Sequence, residues 1–435
     1  MKNLISLVCL IVASFQSFAT WQALGSGVGG RVYALAVHNN ALYAGGNFTG
    51  LISKWDGVNW VTVGAGLTGT NVRCLISFNG ELYAGGIFNL AGTSGNVARW
   101  DGINWVAVGD GLGGVAGSGV MCFKERNGEL YAGGTFNQSG TSSVSKIAKL
   151  MNTAWHQVGG GAPPNCTAGV YAMENYNGQL YVGGQGSAPW MNILDPGGTV
   201  WTSMPTVGGL VSGIGVYALG AFHYPNQSTI SMFVGGDFTS PPSSTCCVYS
   251  NGIWGTALNA FSSGATDQVN AFLSTSDFLY AGGVFTVNGA TNIAKKGIST
   301  PWVSLNVTLN GSVDAFAIYQ GYLVCGGNFI TADGNTVNHV VINDGVFVSS
   351  NDQDEQQGPA LFPIPAHSSI HYSPQSNHDV RQLTIYDACG KQVFETQIQK
   401  ECDIDLRNLK SGMYFYAISE RGIKISGGKI ILEQR

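Results

Sequence analysis

The side chains that could perform acid–base or metal chemistry are few in this chain and lie far apart in sequence. Of the 435 residues only 10% are charged. General acid–base catalysis needs carboxylates or imidazoles that are held together with shifted pKa values. The first 350 residues contain only four scattered histidines: His38, His156, His223 and His339. We therefore expect no catalytic residue, no metal site and no cofactor, and we favour binding over catalysis.

The nine cysteines are the other candidates for chemistry, because an exported chain could use them in disulfides or metal sites. Three of them stand where other copies of a repeat have alanine: Cys74, Cys122 and Cys325. Cys166 could bridge to Cys246 or Cys247, and Cys389 could pair with Cys402. The sequence leaves these pairings open, and it contains no paired CxxC motif of a zinc site.

Polar and aromatic side chains recur at two positions where the repeat leaves the residue type open. Both positions lie at the start of the first strand of each repeat, near the expected mouth of a central channel. Tyr, Arg and Asp side chains placed there could hold a polar ligand or a glycan. The alternative is a hydrated channel without a partner. The candidate residues at these positions are Arg31, Tyr33, Arg73, Tyr171, Tyr217 and Asp314.

Trp190 is a further candidate, because it follows a copy of the repeat that has lost its phenylalanine. Gly186 stands at that phenylalanine position. Irregular repeats are places where function or structural compensation is expected. Trp190 could stack on a ligand, or it could fill the space that the missing ring leaves.

A motif that occurs seven times must position these side chains. Successive copies start 40 to 52 residues apart (42 to 82, 180 to 232), a spacing typical of propeller blades or solenoid units. Each copy lies between an apolar strand, a strand that ends in a tight turn, and a strand that opens with an aromatic residue. Four antiparallel strands per repeat predict an all-β, seven-bladed β-propeller over residues 20–350. The copies are LYAGGNF at 42–48, LYAGGIF at 82–88, LYAGGTF at 130–136, LYVGGQG at 180–186, MFVGGDF at 232–238, LYAGGVF at 279–285 and LVCGGNF at 323–329.

The first and last repeats predict how the ring closes. Trp21-Gln22-Ala23-Leu24-Gly25 has the WxxLG pattern of a fourth strand but precedes every blade. The seventh copy has only Phe347 at this position. Because open sheet edges invite aggregation, we expect the N-terminal strand to complete blade seven beside residues 340–342.

The repeat resembles those of kelch and galactose-oxidase-like propellers, and especially the GGxF…W…G repeats of fungal cortical polarity-marker proteins. This resemblance covers residues 20–350 and implies the fold without an activity, since propellers host many functions. Copper chemistry of the galactose-oxidase kind would need grouped His and Tyr ligands, and the histidines are not grouped in sequence.

The N-terminus predicts export. Lys2, an apolar run from Leu4 to Phe15, and small residues ending at Ala19 are typical of a secretory signal, which we assign to residues 1–19. No later apolar run is long enough for a transmembrane segment. The net charge of −5 and the absence of a basic run argue against nucleic acid as a partner.

The composition changes near residue 351, where a polar linker (351–358) leads into a charged module at 359–435. Short alternating strands with glycine turns predict a small β-sandwich there. In order, the module contains a proline-containing opener at 362–366, Leu383-Thr384-Ile385-Tyr386-Asp387 before Gly390-Lys391, Asp405-Leu406, and Gly412-Met413-Tyr414. A basic and apolar terminus follows.

These motifs resemble the type A C-terminal sorting domain of the Bacteroidota type IX secretion system. One departure is the opener, where Ile364-Pro365 replaces the usual Asn-Pro. The resemblance implies the type IX machinery as a partner, export through the periplasm, and release or attachment at the outer-membrane surface. An ordinary sandwich domain is the alternative.

Together these features predict a secreted or cell-surface propeller that binds a glycan or protein partner in adhesion or interaction. A secreted propeller enzyme that acts on glycans, and a purely structural surface protein, are the competing hypotheses. A cluster of two carboxylates, or of His with Tyr, on one face of the ring would favour the enzyme.

Overall fold

The computed structural model describes residues 21–347 with internal gaps and six segments of the C-terminal part. The chain divides into two compact units, residues 1–352 and 353–435. The described residues form strands, turns and bends without a helix, which confirms the all-β prediction. The predicted signal peptide (1–19), the predicted linker (351–358) and Cys389 lie outside them. The gaps in the first unit are 91–94, 189, 205–214, 224–229, 241–243, 251, 257–260, 263–265 and 298–299, and the segments of the second are 360–362, 369–373, 381–386, 392–398, 402–420 and 423–432.

The first unit is a seven-bladed β-propeller, as predicted. The inner strands are Val32–His38, Thr68–Phe78, Val120–Arg126, Gly169–Tyr176, Val216–His223, Gln268–Ser274 and Val313–Tyr319. The second strands are Ala41–Gly46, Glu81–Asn89, Glu129–Gly134, Gln179–Gln185, Ile230–Ser240, Leu279–Val287 and Tyr322–Gly327. The third strands are Ile52–Trp55, Val97–Trp100, Ile147–Met151, Met191–Leu194, Ser244–Ser250, Ala290–Lys296 and Val340–Phe347. The outer strands are Trp60–Thr62, Trp105–Ala107, Ala154–Gln157, Trp201–Ser203 and Ile253–Thr256 in blades one to five, and Trp21–Ala23 in blade seven. Two short hairpins extend the loops, Gln138–Ser139 with Ser142–Ser143 and Thr331–Ala332 with Asn335–Thr336.

The first glycine of each GG pair allows neighbouring blades to approach closely. A Cβ atom built on any of the seven would lie 2.4–2.7 Å from a valine Cγ1 in the inner strand of the next blade. Real Cβ atoms do not approach other atoms so closely, so only glycine fits. The seventh contact runs from Gly326 to Val32 and closes the ring, and the inner strands of blades one and seven also contact each other.

The second glycine of each pair lies beside a β-bulge in the same blade. A Cβ atom there would lie 1.9–2.2 Å from the carbonyl oxygen of the residue that precedes the inner-strand valine. The inner and second strands shift register at this place in all seven blades, which leaves one inner-strand residue without a partner. Bulges of this kind redirect a side chain.

Closure of the ring by the N-terminal strand is confirmed. Trp21 pairs with Asn343, Gln22 with Ile342 and Ala23 with Val341, antiparallel. The Trp21 indole Nε1 also donates a 3.2 Å hydrogen bond to the carbonyl of Leu305 in blade six. Residues more than 300 positions apart in sequence are thereby joined in one sheet.

Hydrogen bonds from outer-strand tryptophans to the preceding blade recur around the ring. In five blades the indole Nε1 donates to a backbone carbonyl in the WxxLG-type segment of the blade before it, at 3.0–3.3 Å. The tryptophan that recurs in the repeat therefore makes contacts between blades as well as within them. The donors are Trp21, Trp60, Trp105, Trp155 and Trp201.

One outer-strand prediction is wrong. Blade six forms a three-stranded sheet in the described residues, and the expected strand at Trp302 makes only the single bridge between Lys295 and Val303. Pro301 explains the difference, because proline has no N–H to donate to a ladder. Phe347 ends the described third strand of blade seven, opposite Tyr322, and the outer strand of that blade is Trp21–Ala23, as predicted.

The second unit is a β-sandwich of two sheets. One sheet orders Ala360–Phe362, Ser369–Ser373 and Cys402–Asp405; the other orders Gln392–Ile398, Arg381–Tyr386, Gly412–Glu420 and Ile423–Leu432. Buried apolar side chains from both sheets form a common core, among them Ile370, Ile385 and Ile418.

Replacing Gly45 by alanine tests the packing between blades. The new Cβ would lie 2.6 Å from Cγ1 of Val72, a stiff β-branched side chain. We expect the free energy of unfolding to fall by about 1–3 kcal/mol, the range for overpacked cores, as measured by denaturant titration with tryptophan fluorescence. Gly29→Ala is the matched control, because a Cβ there meets no atom within 4 Å. Equal losses in both variants would contradict this account of the packing.

Candidate functional site

The seven bulges place one side chain per blade at the same end of the inner strands. Each of these residues lies between a valine and a small residue that both pair with the GG segment, so packing does not dictate its type. The residue type at this position accordingly differs from blade to blade, from tyrosine to aspartate. We call this set the mouth ring: Tyr33, Arg73, Met121, Tyr171, Tyr217, Asn270 and Asp314.

Arg31 and Asp314 form an ion pair across the seam between blades one and seven. The Arg31 guanidinium donates two hydrogen bonds to the carboxylate, Nε to Oδ2 at 2.7 Å and Nη2 to Oδ1 at 3.0 Å. Asn270 and Ser312 donate to the same carboxylate at 2.7 and 3.2 Å. Burial opposes the charge of Arg31, but the hydrogen bond and charge of Asp314 outweigh it and raise the pKa of Arg31.

Two guanidinium groups lie over the ring of Tyr33. The guanidinium carbon of Arg31 is 4.8 Å from the ring centre and that of Arg73 is 4.0 Å from it, both within cation–π range. Arg73 Nε also donates a 3.2 Å hydrogen bond to Asn71 Oδ1. Four of the predicted candidates thus form one cluster: Arg31, Tyr33, Arg73 and Asp314.

The remaining tyrosine candidates form a second cluster in blades four and five. The rings of Tyr171 and Tyr217 meet edge to face at 5.7 Å. Gln185 links their hydroxyls: it accepts from Tyr171 at 3.2 Å and donates to Tyr217 at 2.9 Å. The Tyr217 hydroxyl donates to Asp237, which also accepts from the Gly215 N–H. Burial is the largest cause that raises the pKa of Tyr217 to about 12, and Asp237 adds to the rise, so the phenol stays protonated.

Trp190 lies in the core and not at the mouth. Its side chain is 6% exposed and stacks on Phe238 of blade five at 6.5 Å. The ring therefore offers little surface to a ligand, and its packing fits the space-filling alternative.

The backbone of Trp190 also occupies a repeated position. It has a positive φ of 56°, and its carbonyl accepts a hydrogen bond from the second glycine of the GG pair, Gly184. Loops of different length hide this equivalence in the sequence. The residues with the same φ sign and the same hydrogen bond in other blades are Leu51, Asn96, Lys146 and His339.

Histidine and cysteine side chains outside the mouth ring make contacts within the protein. His38 bonds Ser77 at 2.9 Å, and burial lowers the pKa of its imidazole. Cys166 is a buried free thiol 3.3 Å from the Trp190 carbonyl, so the proposed bridge from Cys166 is not formed.

Within the described ranges, no group of three His, Cys, Asp or Glu side chains could hold a metal ion. The same ranges contain no helix with the length and apolar character of a membrane span.

Two clefts are lined by residues outside the mouth ring. One, of about 200 Å³, is lined by backbone and polar groups of blades two and three, including Thr70, Asn96 and Ser118. The other, of about 440 Å³, lies in blade three beside Asp110 and His156. Neither contains a residue of the two mouth clusters.

Sequence reasoning missed Gln185 and Asp237, which hold the tyrosine cluster together. Both occupy the variable third position of the GGxF motif. Variation at that position, inside an otherwise constant motif, was the signal that could have identified them.

Residues 360–433 match the family described as "Secretion system C-terminal sorting domain". The second unit is therefore a sorting domain of the type IX secretion system, and the chain joins it to a seven-bladed β-propeller. The domain indicates export to the cell surface or extracellular space and interaction with the type IX machinery.

Solved structures with similar folds are distant. The extracellular domain of a hybrid two-component system from B. thetaiotaomicron is 11% identical with a TM-score of 0.44, over 96% of this chain and 58% of that one. The extracellular domain of a one-component system from the same organism is 11% identical (TM-score 0.31; 93% and 69% covered), and a fungal alcohol oxidase in complex with copper is 11% identical (TM-score 0.38; 96% and 100%). This chain thus spans less than two thirds of the first. No curated protein matches. These likenesses carry no argument about function, and the resemblance to kelch repeats stays a prediction.

Replacing Arg31 by glutamine tests the ion pair at the seam. The Asp314 side chain is only 5% exposed, so its carboxylate would lose a charged partner in a place with little water. We expect the free energy of unfolding to fall by about 1–3 kcal/mol. The control is Arg99→Gln, because Arg99 and Glu81 pair with about a third of each side chain exposed and such pairs contribute about 0–1 kcal/mol. Similar losses in the two variants, measured by denaturant titration, would contradict the structural role.

Proposed function

We propose that the protein is a secreted or surface-displayed binding module whose propeller engages a glycan or protein partner at the mouth ring. Residues 1–19 would direct the chain to the periplasm, and the sorting domain (359–435) would carry the propeller (20–350), joined by residues 351–358, across the outer membrane. Release or attachment at the surface would follow.

The observation that carries this proposal is the contrast between the mouth ring and its frame. The two glycines at each bulge are required by packing, because a Cβ atom on either would lie within 2.7 Å of a valine methyl or a backbone carbonyl. The bulge residue itself is Tyr, Arg, Met, Asn or Asp. A rigid frame that presents variable polar and aromatic side chains on one face is suited to recognition. Hydroxyl, amide and guanidinium groups there match the donors and acceptors of a sugar or a polar protein surface.

The state of the mouth carboxylates favours binding over hydrolysis. Glycoside hydrolysis uses two carboxyl groups that flank the scissile bond, one as acid and one as base or nucleophile. Asp314 accepts from Arg31, Asn270 and Ser312, and Asp237 accepts from Tyr217 and a backbone N–H. Both carboxylates therefore serve internal hydrogen bonds that position neighbouring side chains.

A reporter experiment tests export. Residues 353–435 joined to a periplasmic reporter should move the reporter to the cell surface or medium in a host with the type IX system, because the sorting domain is a separate compact unit. Fractionation and surface proteolysis measure the outcome. The reporter alone is the control, and retention of the fusion in the periplasm would contradict the proposal.

A mouth variant tests binding. The full chain should retain a ligand on an array of glycans or on a panel of purified surface proteins. Tyr171→Ala should weaken that binding by about fivefold or more, since an aromatic contact contributes about 1 kcal/mol. The control is Ile103→Ala, a 76% exposed side chain at a turn of blade two, which should bind as the wild type does. No ligand on either panel, or ligand binding indifferent to Tyr171, would contradict a binding site at the mouth.

A further inference from the structure

The mouth ring carries a charge that the protein itself does not neutralise. Arg31 is paired with Asp314 in two hydrogen bonds. Arg73 lies over the same tyrosine ring, yet no carboxylate pairs with it among the residues that the structure describes. The Arg73 guanidinium shares the Tyr33 ring with that of Arg31, and its hydrogen-bond partner there is a single amide oxygen. An anion from outside the protein would therefore bind favourably to Arg73.

The Arg73 side chain is also held in one orientation. The Tyr33 ring supports its guanidinium at 4.0 Å, and Asn71 binds its Nε atom at 3.2 Å. The Nη atoms make no hydrogen bond within the described part of the chain. Because the fork of donors is oriented before a ligand arrives, little conformational entropy is lost when it binds a carboxylate or sulfate.

Tyr171 belongs to the same mouth ring as Arg73. Burial raises the pKa of Tyr171, and the positive charge of Arg73 acts against that rise. Arg73 of blade two and Tyr171 of blade four hold the same bulge position at one end of the inner strands, and Tyr171 is linked there to Gln185 and Tyr217. A ligand that places an anionic group at Arg73 and extends along the ring would meet phenol and amide groups.

On this basis, and resting on the proposed binding function, we propose that the mouth ring recognises an acidic glycan, with the anionic group of one sugar bound by Arg73 and its hydroxyls met by Tyr171 and Gln185. Six of the seven ring residues are polar or tyrosine, and Met121 alone is aliphatic. Sugar hydroxyls match such a lining of donors and acceptors, whereas the ring offers only Met121 to an aliphatic side chain of a peptide. A single unpaired arginine in a chain of net charge −5 does not suit nucleic acid.

The test measures binding of the full chain to four probes by calorimetry. The probes are a galacturonic acid tetrasaccharide, the neutral galactose tetrasaccharide, a sulfated galactose tetrasaccharide and a glutamate-rich peptide. We expect at least one acidic sugar to bind about tenfold or more tighter than the neutral one, the size of a charge-assisted hydrogen bond. The two acidic probes distinguish carboxylate from sulfate as the anion.

Variants assign the preference to Arg73. Arg73→Gln should remove the preference for the acidic sugar, Arg73→Lys should keep part of it, and Arg99→Gln should leave it unchanged because Arg99 pairs with Glu81 away from the mouth ring. Thermal unfolding confirms that each variant is folded. Equal binding of neutral and acidic sugars, or an acidic preference that survives Arg73→Gln, overturns this inference while the binding function stands. Binding of the peptide alone, or of no probe, also overturns it, and the Tyr171→Ala experiment then decides the binding function separately.

Discussion

The close approach of blades at the paired glycines is the constraint on which the rest of the structure depends. Each first glycine leaves room for a valine methyl of the next blade, and a Cβ there would lie within 2.4–2.7 Å of it. Because the same contact occurs seven times and the last joins Gly326 to Val32, the ring must close. Packing at this density tolerates no added methyl group without movement of its neighbours.

The same glycine pairs also create the candidate site. The second glycine leaves space for a backbone carbonyl oxygen that a side chain would displace, and the inner strand bulges at that point. The bulge residue is freed from both ladder pairing and core packing, so its type can vary without loss of the fold. On each inner strand, the residue that packs against the neighbouring blade is therefore next to the residue that belongs to the mouth ring, as Val32 is next to Tyr33.

Much of the candidate site could be predicted from variation within the repeat, but its connections could not. Arg31, Tyr33, Arg73 and Asp314 were found because the repeat leaves their positions open. That Arg31 pairs with Asp314 across 283 residues depends on which blades become neighbours and how side chains turn at the bulge. Gln185 and Asp237 link the tyrosines through hydrogen bonds that no spacing in sequence reveals, and Trp190 reaches the core through a loop whose length differs between blades.

The sequence by itself determined the all-β class, the number of blades, the strand that closes the ring and the sorting domain, because each is written in local or periodic patterns. Seven glycine motifs predict seven blades, and Trp21 bears the outer-strand pattern ahead of the first one. The tertiary structure alone decided that Trp190 is buried and that, among the described residues, blade six has three full strands and Arg73 has no carboxylate partner. Those outcomes depend on distances between side chains of different blades, which the curvature and closure of the ring set and no single repeat contains.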